Sequence, residues 1–144
     1  MGHTLIFHSI DVGKRIQKVV DFKSSPLSLS HSQASALLVI DSQNEITQKE
    51  LASKLRLEPA TIVSLIDELE RLKLVRRASA NGDRRKYNIA LTEAGKNKIK
   101  LIKVKAIQLD NFLKNKLSKQ ELTTLHSILS KLTIALSEWK GGEK

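Results

Sequence analysis

Apolar residues recur at three- and four-residue steps along most of this chain, and the stretches they form open on helix-start signals. Thr47 and Glu50 form a capping box: the threonine oxygen takes an orphan amide and the glutamate three residues on takes another, just ahead of Leu51, Ala52 and Leu55. A short helix is expected there. Glu58-Pro59 opens the next one, because proline at a first helical position forfeits only an amide that would be unpaired anyway. Its Ile62, Leu65, Ile66, Leu69 and Leu72 trace one buried face and turn Ala60, Thr61, Ser64 and Glu68 the other way. Upstream, Ser30 and Gln33 make another capping box before Leu37, Leu38 and Ile40, predicting a support helix from Ser30 to Asp41 beneath the pair.

Val75-Arg76-Arg77 leads to the turn-prone Ala80-Asn81-Gly82-Asp83, then Arg84-Arg85-Lys86, and Tyr87, Ile89 and Leu91 follow in period-two alternation. This predicts a two-stranded hairpin with a cationic tip. Two arginines on an exposed loop suit the negative potential of a narrow minor groove, and a helix beside them is the right width for a major groove. Helix and ribbon together predict the two-point grip of a winged helix-turn-helix on double-stranded DNA. The candidate readers are Pro59, Ala60, Thr61 and Ser64 on the helix. Arg84, Arg85 and Lys86 follow on the wing, with Arg76 and Arg77 as candidate backbone contacts.

The stretches ELASKL, TIVSLIDELERLKLVRR and GDRRKYNIALTEAGK resemble the MarR family of bacterial transcription regulators, the last looking like that family's wing and the start of its next helix. In helical layout the resemblance covers roughly the whole chain. It implies that Arg84 and Arg85 are wing-tip arginines and that Asp83 orients one of them through a salt bridge. One departure is Lys73, where the family usually closes its recognition helix with glycine; a left-handed cap there costs a non-glycine residue about 1 kcal/mol.

With 144 residues and 40% hydrophobic content, the chain suits one compact unit with a real core. Aromatics are only 3%, so that core must be aliphatic, which favours a mainly α fold with a small β-hairpin wing. The absence of cysteine excludes disulfides, thiolate zinc sites and thiol oxidation sensors. No apolar run approaches a membrane span, and no signal peptide is evident, so a cytoplasmic protein is expected. His3, His8, His31 and His126 lack metal-ligand spacing, the glycines form no phosphate loop, and no nucleophile has an evident activator. The reading is neither an enzyme nor a cofactor or metal protein.

The net charge of +10 is uneven: residues 96 to 120 carry eight lysines against Asp110 alone. Those lysines either solubilise a helix face or provide a field that attracts phosphates. Along the same segment Ile99, Ile102, Ala106, Leu109 and Leu113 follow the heptad step, while Leu101, Val104, Ile107 and Phe112 add apolar surface elsewhere. Ser118 to Glu121 opens a last helix with Leu122, Leu125, Leu129, Leu132, Leu136 and Trp139. At the other end Leu5, Phe7, Ile16, Val19, Val20 and Phe22 predict a first one. Such helices pack on each other or on a second copy. A homodimer would set two reading heads about one helical turn of DNA apart, ~34 Å, and predicts a roughly palindromic operator.

The expected organisation is therefore a single unit over 1–144. Residues 30–95 form the DNA-binding part, and 1–24 with 96–140 the helical dimerisation part. The resemblance further implies a repressor released by a small anionic aromatic effector, for which His8, Arg15 and His31 are the groups able to meet a carboxylate. An RNA-binding winged helix and a protein-interaction module are the alternative readings.

Overall fold

The computed structural model describes residues 4–20, 26–80 and 83–141, with the side chains of Ala80 and of residues 83–86 outside the description. Among the described residues, six helices and three strands follow in the order α1 Leu5–Val19, α2 His31–Gln43, β1 Glu45–Thr47, α3 Gln48–Leu55, α4 Pro59–Arg71, β2 Val75–Ala80, β3 Asp83–Leu91, α5 Glu93–Lys114 and α6 Lys119–Glu138. The chain forms two compact units, Met1–Ala106 and Ile107–Lys144.

All three capping boxes are formed. Ser30, Thr47 and Ser118 each accept from the backbone amide three residues on, and Gln33, Glu50 and Glu121 each reach back to the cap amide. Thr92 caps α5 by accepting from the Gly95 amide at 3.0 Å. The two central helices both end in the same way. The amides of Arg56 and Leu57 donate to Ser53 and Ala52 carbonyls after α3, and those of Lys73 and Leu74 donate to Glu70 and Leu69 after α4. Each pair is a Schellman closure, which demands a left-handed residue at its corner. Arg56 and Lys73 occupy those corners with φ of 53° and 59°. The strain expected at Lys73 is present, and Arg56 repeats it.

Among the described residues the core of the first unit is aliphatic. Leu29, Leu37, Ile40, Leu51, Ile62, Ile66, Leu69, Ile89 and Ile102 are fully buried, drawing on α2, α3, α4, β3 and α5. Phe7, Tyr87, Phe112 and Trp139 are all exposed, while Phe22 lies outside the described residues. On α4 and β3 two positions depart from their sequence pattern. Leu72, expected on the buried face of α4, is 45% exposed, because the chain leaves helical geometry there to make the closure. Tyr87, the first of the period-two series, is 49% exposed, whereas Ile89 and Leu91 are buried as expected.

The hairpin gains a third strand. The sheet order is β1-β3-β2, all antiparallel, with Ile46 opposite Ile89 and Thr47 opposite Asn88 on one side of β3. On its other side Ala78 faces Asn88 and Val75 faces Leu91, and the register shifts between Ser79 and Ala80. Three residues are too short for any periodicity to announce β1. It nonetheless fixes the sheet to the helices, since Thr47 ends β1 and caps α3.

Nothing in α1 or α6 is buried, although both are amphipathic by sequence. Leu5, Ile6, Phe7, Ile10, Ile16 and Val19 are exposed on α1, and Leu125, Ile128, Leu129, Ile134 and Leu136 on α6. Lysines along α5 and just past its end are tethered. Lys98 donates to the Leu27 carbonyl at 3.0 Å and Lys103 to Asp41 at 2.7 Å, Lys96 pairs with Glu93, Lys114 pairs with Asp110, and Lys116 stands over the Phe112 ring.

Candidate nucleic-acid interface

Helix α4 is built to present its first turn. Glu58 occupies its cap position without a side-chain hydrogen bond, and Pro59 has no amide to satisfy. The amides of the next two residues, Ala60 and Thr61, therefore face solvent at the positive end of the helix dipole, where an anion is favoured. Ile62, Leu65, Ile66 and Leu69 anchor the opposite face in the core. Ala60, Thr61 and Ser64 are exposed together, with the Ser64 hydroxyl donating back to the Ala60 carbonyl at 3.4 Å. Pro59 and Ile62 share the wall of an apolar concavity of about 380 Å³ with Gln48, Lys49 and Ala52 of α3, so the two helices begin side by side. Lys49 is exposed at that mouth and adds a cation the sequence reading overlooked. Its signal was its place in the first turn of a helix capped by Thr47.

Both flanks of α4 are held by side chains. From the wing, Arg77 donates to Asp67 at 2.6 Å and also to Glu70. Burial works against the arginine's charge, but the two carboxylates outweigh it and leave its pKa raised. From α2, Gln33 Nε2 donates to Glu68 at 3.0 Å. Thus Asp67, Glu68 and Glu70 are the points at which α4 is attached to the wing and to α2. Arg77, offered by sequence to the DNA backbone, has its guanidinium engaged within the fold.

Its neighbour Arg76 points elsewhere. It is exposed and lines a concavity of about 220 Å³ at the foot of the wing with Asp41, Asn44, Glu45 and Lys96. Asp83, Arg84, Arg85 and Lys86 form the outer end of β3, and Asn81 and Gly82 of the turn lie outside the described residues. His8, Arg15 and His31 are all exposed, and Arg15 pairs with Asp11 at 2.7 Å. None of the three lines either concavity. Among the described residues no group of three or more histidine, aspartate or glutamate side chains could hold a metal ion.

Helices α2, α3 and α4 are followed directly by the strand pair β2–β3, and residues 29–87 of this stretch match the MarR family. The chain carries a MarR-family domain. It is that of a transcription regulator and not of an enzyme. Similar to it is the uncharacterised HTH-type transcriptional regulator YhbI of Bacillus subtilis, 27% identical over 83% of this chain and 78% of that protein. Two solved MarR-like structures share the fold. MepR of Staphylococcus aureus in complex with DNA aligns with a TM-score of 0.84 at 24% identity, covering 92% of this chain and 98% of that one. FabT of Streptococcus pneumoniae, also in complex with DNA, aligns with a TM-score of 0.79 at 20% identity, covering 92% and 94%. The MarR-family match runs from Leu29 through the support helix and the reading pair to Tyr87, and so contains every proposed reader on α4 and β3.

Proposed function

We propose that this chain is a homodimeric repressor that grips double-stranded DNA at two points, with α4 in a major groove and the β2–β3 wing in the adjacent minor groove. The observation that carries the reading is the uncapped first turn of α4, which presents Ala60, Thr61 and Ser64 beside a basic wing. Pro59, Ala60, Thr61 and Ser64 meet bases and phosphates, and Arg84, Arg85 and Lys86 enter the minor groove with Asp83 orienting an arginine. Arg76 supports them at the DNA backbone. Residues 30–95 do the reading. Residues 1–24 and 96–140 supply the dimer, because the apolar stripes of α1 and α6 are exposed and such stripes are seldom left to water. Two heads then sit about 34 Å apart on a roughly palindromic operator. The binding of DNA by MepR and FabT supports the same use here. Among the described residues no helix is long and apolar enough to cross a membrane, and we place the protein in the cytoplasm with its operator.

The test is a gel shift with the chain's own upstream region. The double variant R84A/R85A should bind by a few kcal/mol less per dimer and with a shallower salt dependence, since fewer counterions are released. Unchanged binding across a salt titration would remove the wing from the interface. Tyr87 is an exposed aromatic of the kind that stacks on unpaired bases, so single-stranded RNA belongs in the same experiment as competitor. For regulation we propose a small anionic aromatic effector meeting His8, Arg15 or His31. Salicylate at millimolar concentration should then lower operator affinity, by no more than about 1 to 3 kcal/mol of coupling, while hydrogen peroxide should not.

A further inference from the structure

Among the described residues four non-glycine residues carry positive φ: Ser28, Asn44, Arg56 and Lys73. Asparagine tolerates the left-handed region through its short polar side chain, but a long basic side chain gains nothing from it. Arg56 sits squarely in that region, at φ 53° and ψ 44°. Its side chain is exposed and makes no hydrogen bond or ion pair among the described residues, so no contact within the fold accounts for an arginine where a glycine would be relaxed. Strain held without an internal partner points to an external one.

Position says what that partner is. Arg56 is the corner of the turn between α3 and α4, three residues before Pro59, and it leads straight onto the uncapped turn that faces DNA in the function proposed above. Lys73 carries equal strain, but at the far end of α4, about 20 Å along the helix axis from Pro59. There its carbonyl accepts from Thr92 at 2.6 Å, which fixes the start of the wing. The two closures are matched in backbone and charge and differ in nearness to the reading turn. We propose that Arg56 is a phosphate anchor of the DNA interface, kept at a left-handed corner because that corner aims a guanidinium at the strand flanking the first turn of α4. Arginine suits the role through its planar fork of donors, which pairs with a phosphate in two-pronged fashion. The contact is independent of sequence and sets register rather than specificity.

This inference rests on the DNA-binding reading, and the test separates the two. Full-length parent, R56G, R56K and K73G are each titrated with a duplex from the chain's own upstream region and with a scrambled duplex of equal length, over a range of salt. R56G should weaken both duplexes on the order of tenfold, with the slope of log K against log salt shallower by about one per arginine removed. Its melting temperature should stay level or rise, because glycine relieves the corner. R56K keeps the charge but loses the fork, and should keep the parent's salt slope with an affinity between those of the parent and R56G. K73G should match the parent in affinity without losing thermal stability. Parental affinity and slope in R56G would overturn the proposal, as would a K73G defect equal to that of R56G, or a lowered melting temperature in R56G. A parent that binds neither duplex would overturn the DNA-binding reading itself, and this inference with it.

Discussion

Gln33 and Glu68 are joined by a 3.0 Å hydrogen bond between the start of the support helix and the outward edge of the recognition helix. The same glutamine closes the capping box of α2, accepting from the Ser30 amide at 2.9 Å through its other amide atom. One side chain thus fixes a helix start and the tilt of the reading helix. Q33A should cost about 1 kcal/mol through the cap and the bond together. Q33E keeps an acceptor for Ser30 but sets a carboxylate against Glu68. Its urea midpoint should fall below that of Q33A at neutral pH and recover in Q33E/E68Q. A Q33E protein as stable as the parent would mean that the contact carries no strain.

Arg77 has a different liability, since removing it leaves Asp67 and Glu70 without the cation they share. The arginine is part-buried while Asp67 is largely exposed, so solvent screening holds the expected loss for R77A to about 1 to 2 kcal/mol. A double-mutant cycle with D67A should show coupling of at least about 0.5 kcal/mol. R76A is the counterpart: it should leave stability near the parent value and weaken DNA. Reversal of those two phenotypes would exchange the roles assigned to the two arginines.

At Gly95 an added Cβ would stand 2.1 Å from the Leu74 carbonyl oxygen. That carbonyl cannot retreat cheaply, because it accepts from the Thr92 amide at 3.1 Å while the Thr92 hydroxyl donates to the adjacent Lys73 carbonyl. G95A should therefore lose more than about 2 kcal/mol, with the helix forced away from the wing's first strand. Chemical denaturation would detect it. A loss below about 0.5 kcal/mol would show that α5 slides freely.

The capping boxes also set an acid response. The Thr47 amide first, and then its hydroxyl, hold the Glu50 carboxyl below its ordinary value of 4.5, and Ser118 does the same for Glu121. A depressed folded-state pKa gives stability that is present above the unfolded value and is lost as pH falls through the folded one. Helicity should thus decline below about pH 4.5 as α3 and α6 lose their caps, while the uncharged Gln33 box of α2 persists. The E50Q/E121Q variant should show a flatter acid limb by circular dichroism. Equal limbs would assign acid unfolding to other carboxylates.

Much of this architecture was legible in the sequence because its signals are local. Thr47 with Glu50, Pro59, and the apolar spacing of α4 each act within one or two turns, and each placed its helix. What escaped was long in sequence and short in space. Gln33 and Glu68 are 35 positions apart, Arg77 meets Asp67 across a turn, and β1 owes its existence to pairing with Asn88, Ile89 and Ala90 rather than to any pattern of its own. Acidic residues on a helix look solvated until the basic strand that covers them is placed.

The short strand β1 decides the mechanics of the wing. On β3, Asn88 is paired with Thr47 on one side and Ala78 on the other, whereas Tyr87 and Asp83 are paired with β2 alone. The hairpin is therefore a cantilever, clamped at the row Thr47–Asn88–Ala78 and free beyond it. Thr47 is also the residue that starts α3, so a sideways load on the tip is delivered as torque to the first turn of that helix, next to the mouth it shares with α4. A groove too wide or too narrow for the tip would be felt at the reading helix through this lever, and amide exchange should mark its fulcrum as a step in protection between Tyr87 and Asn88.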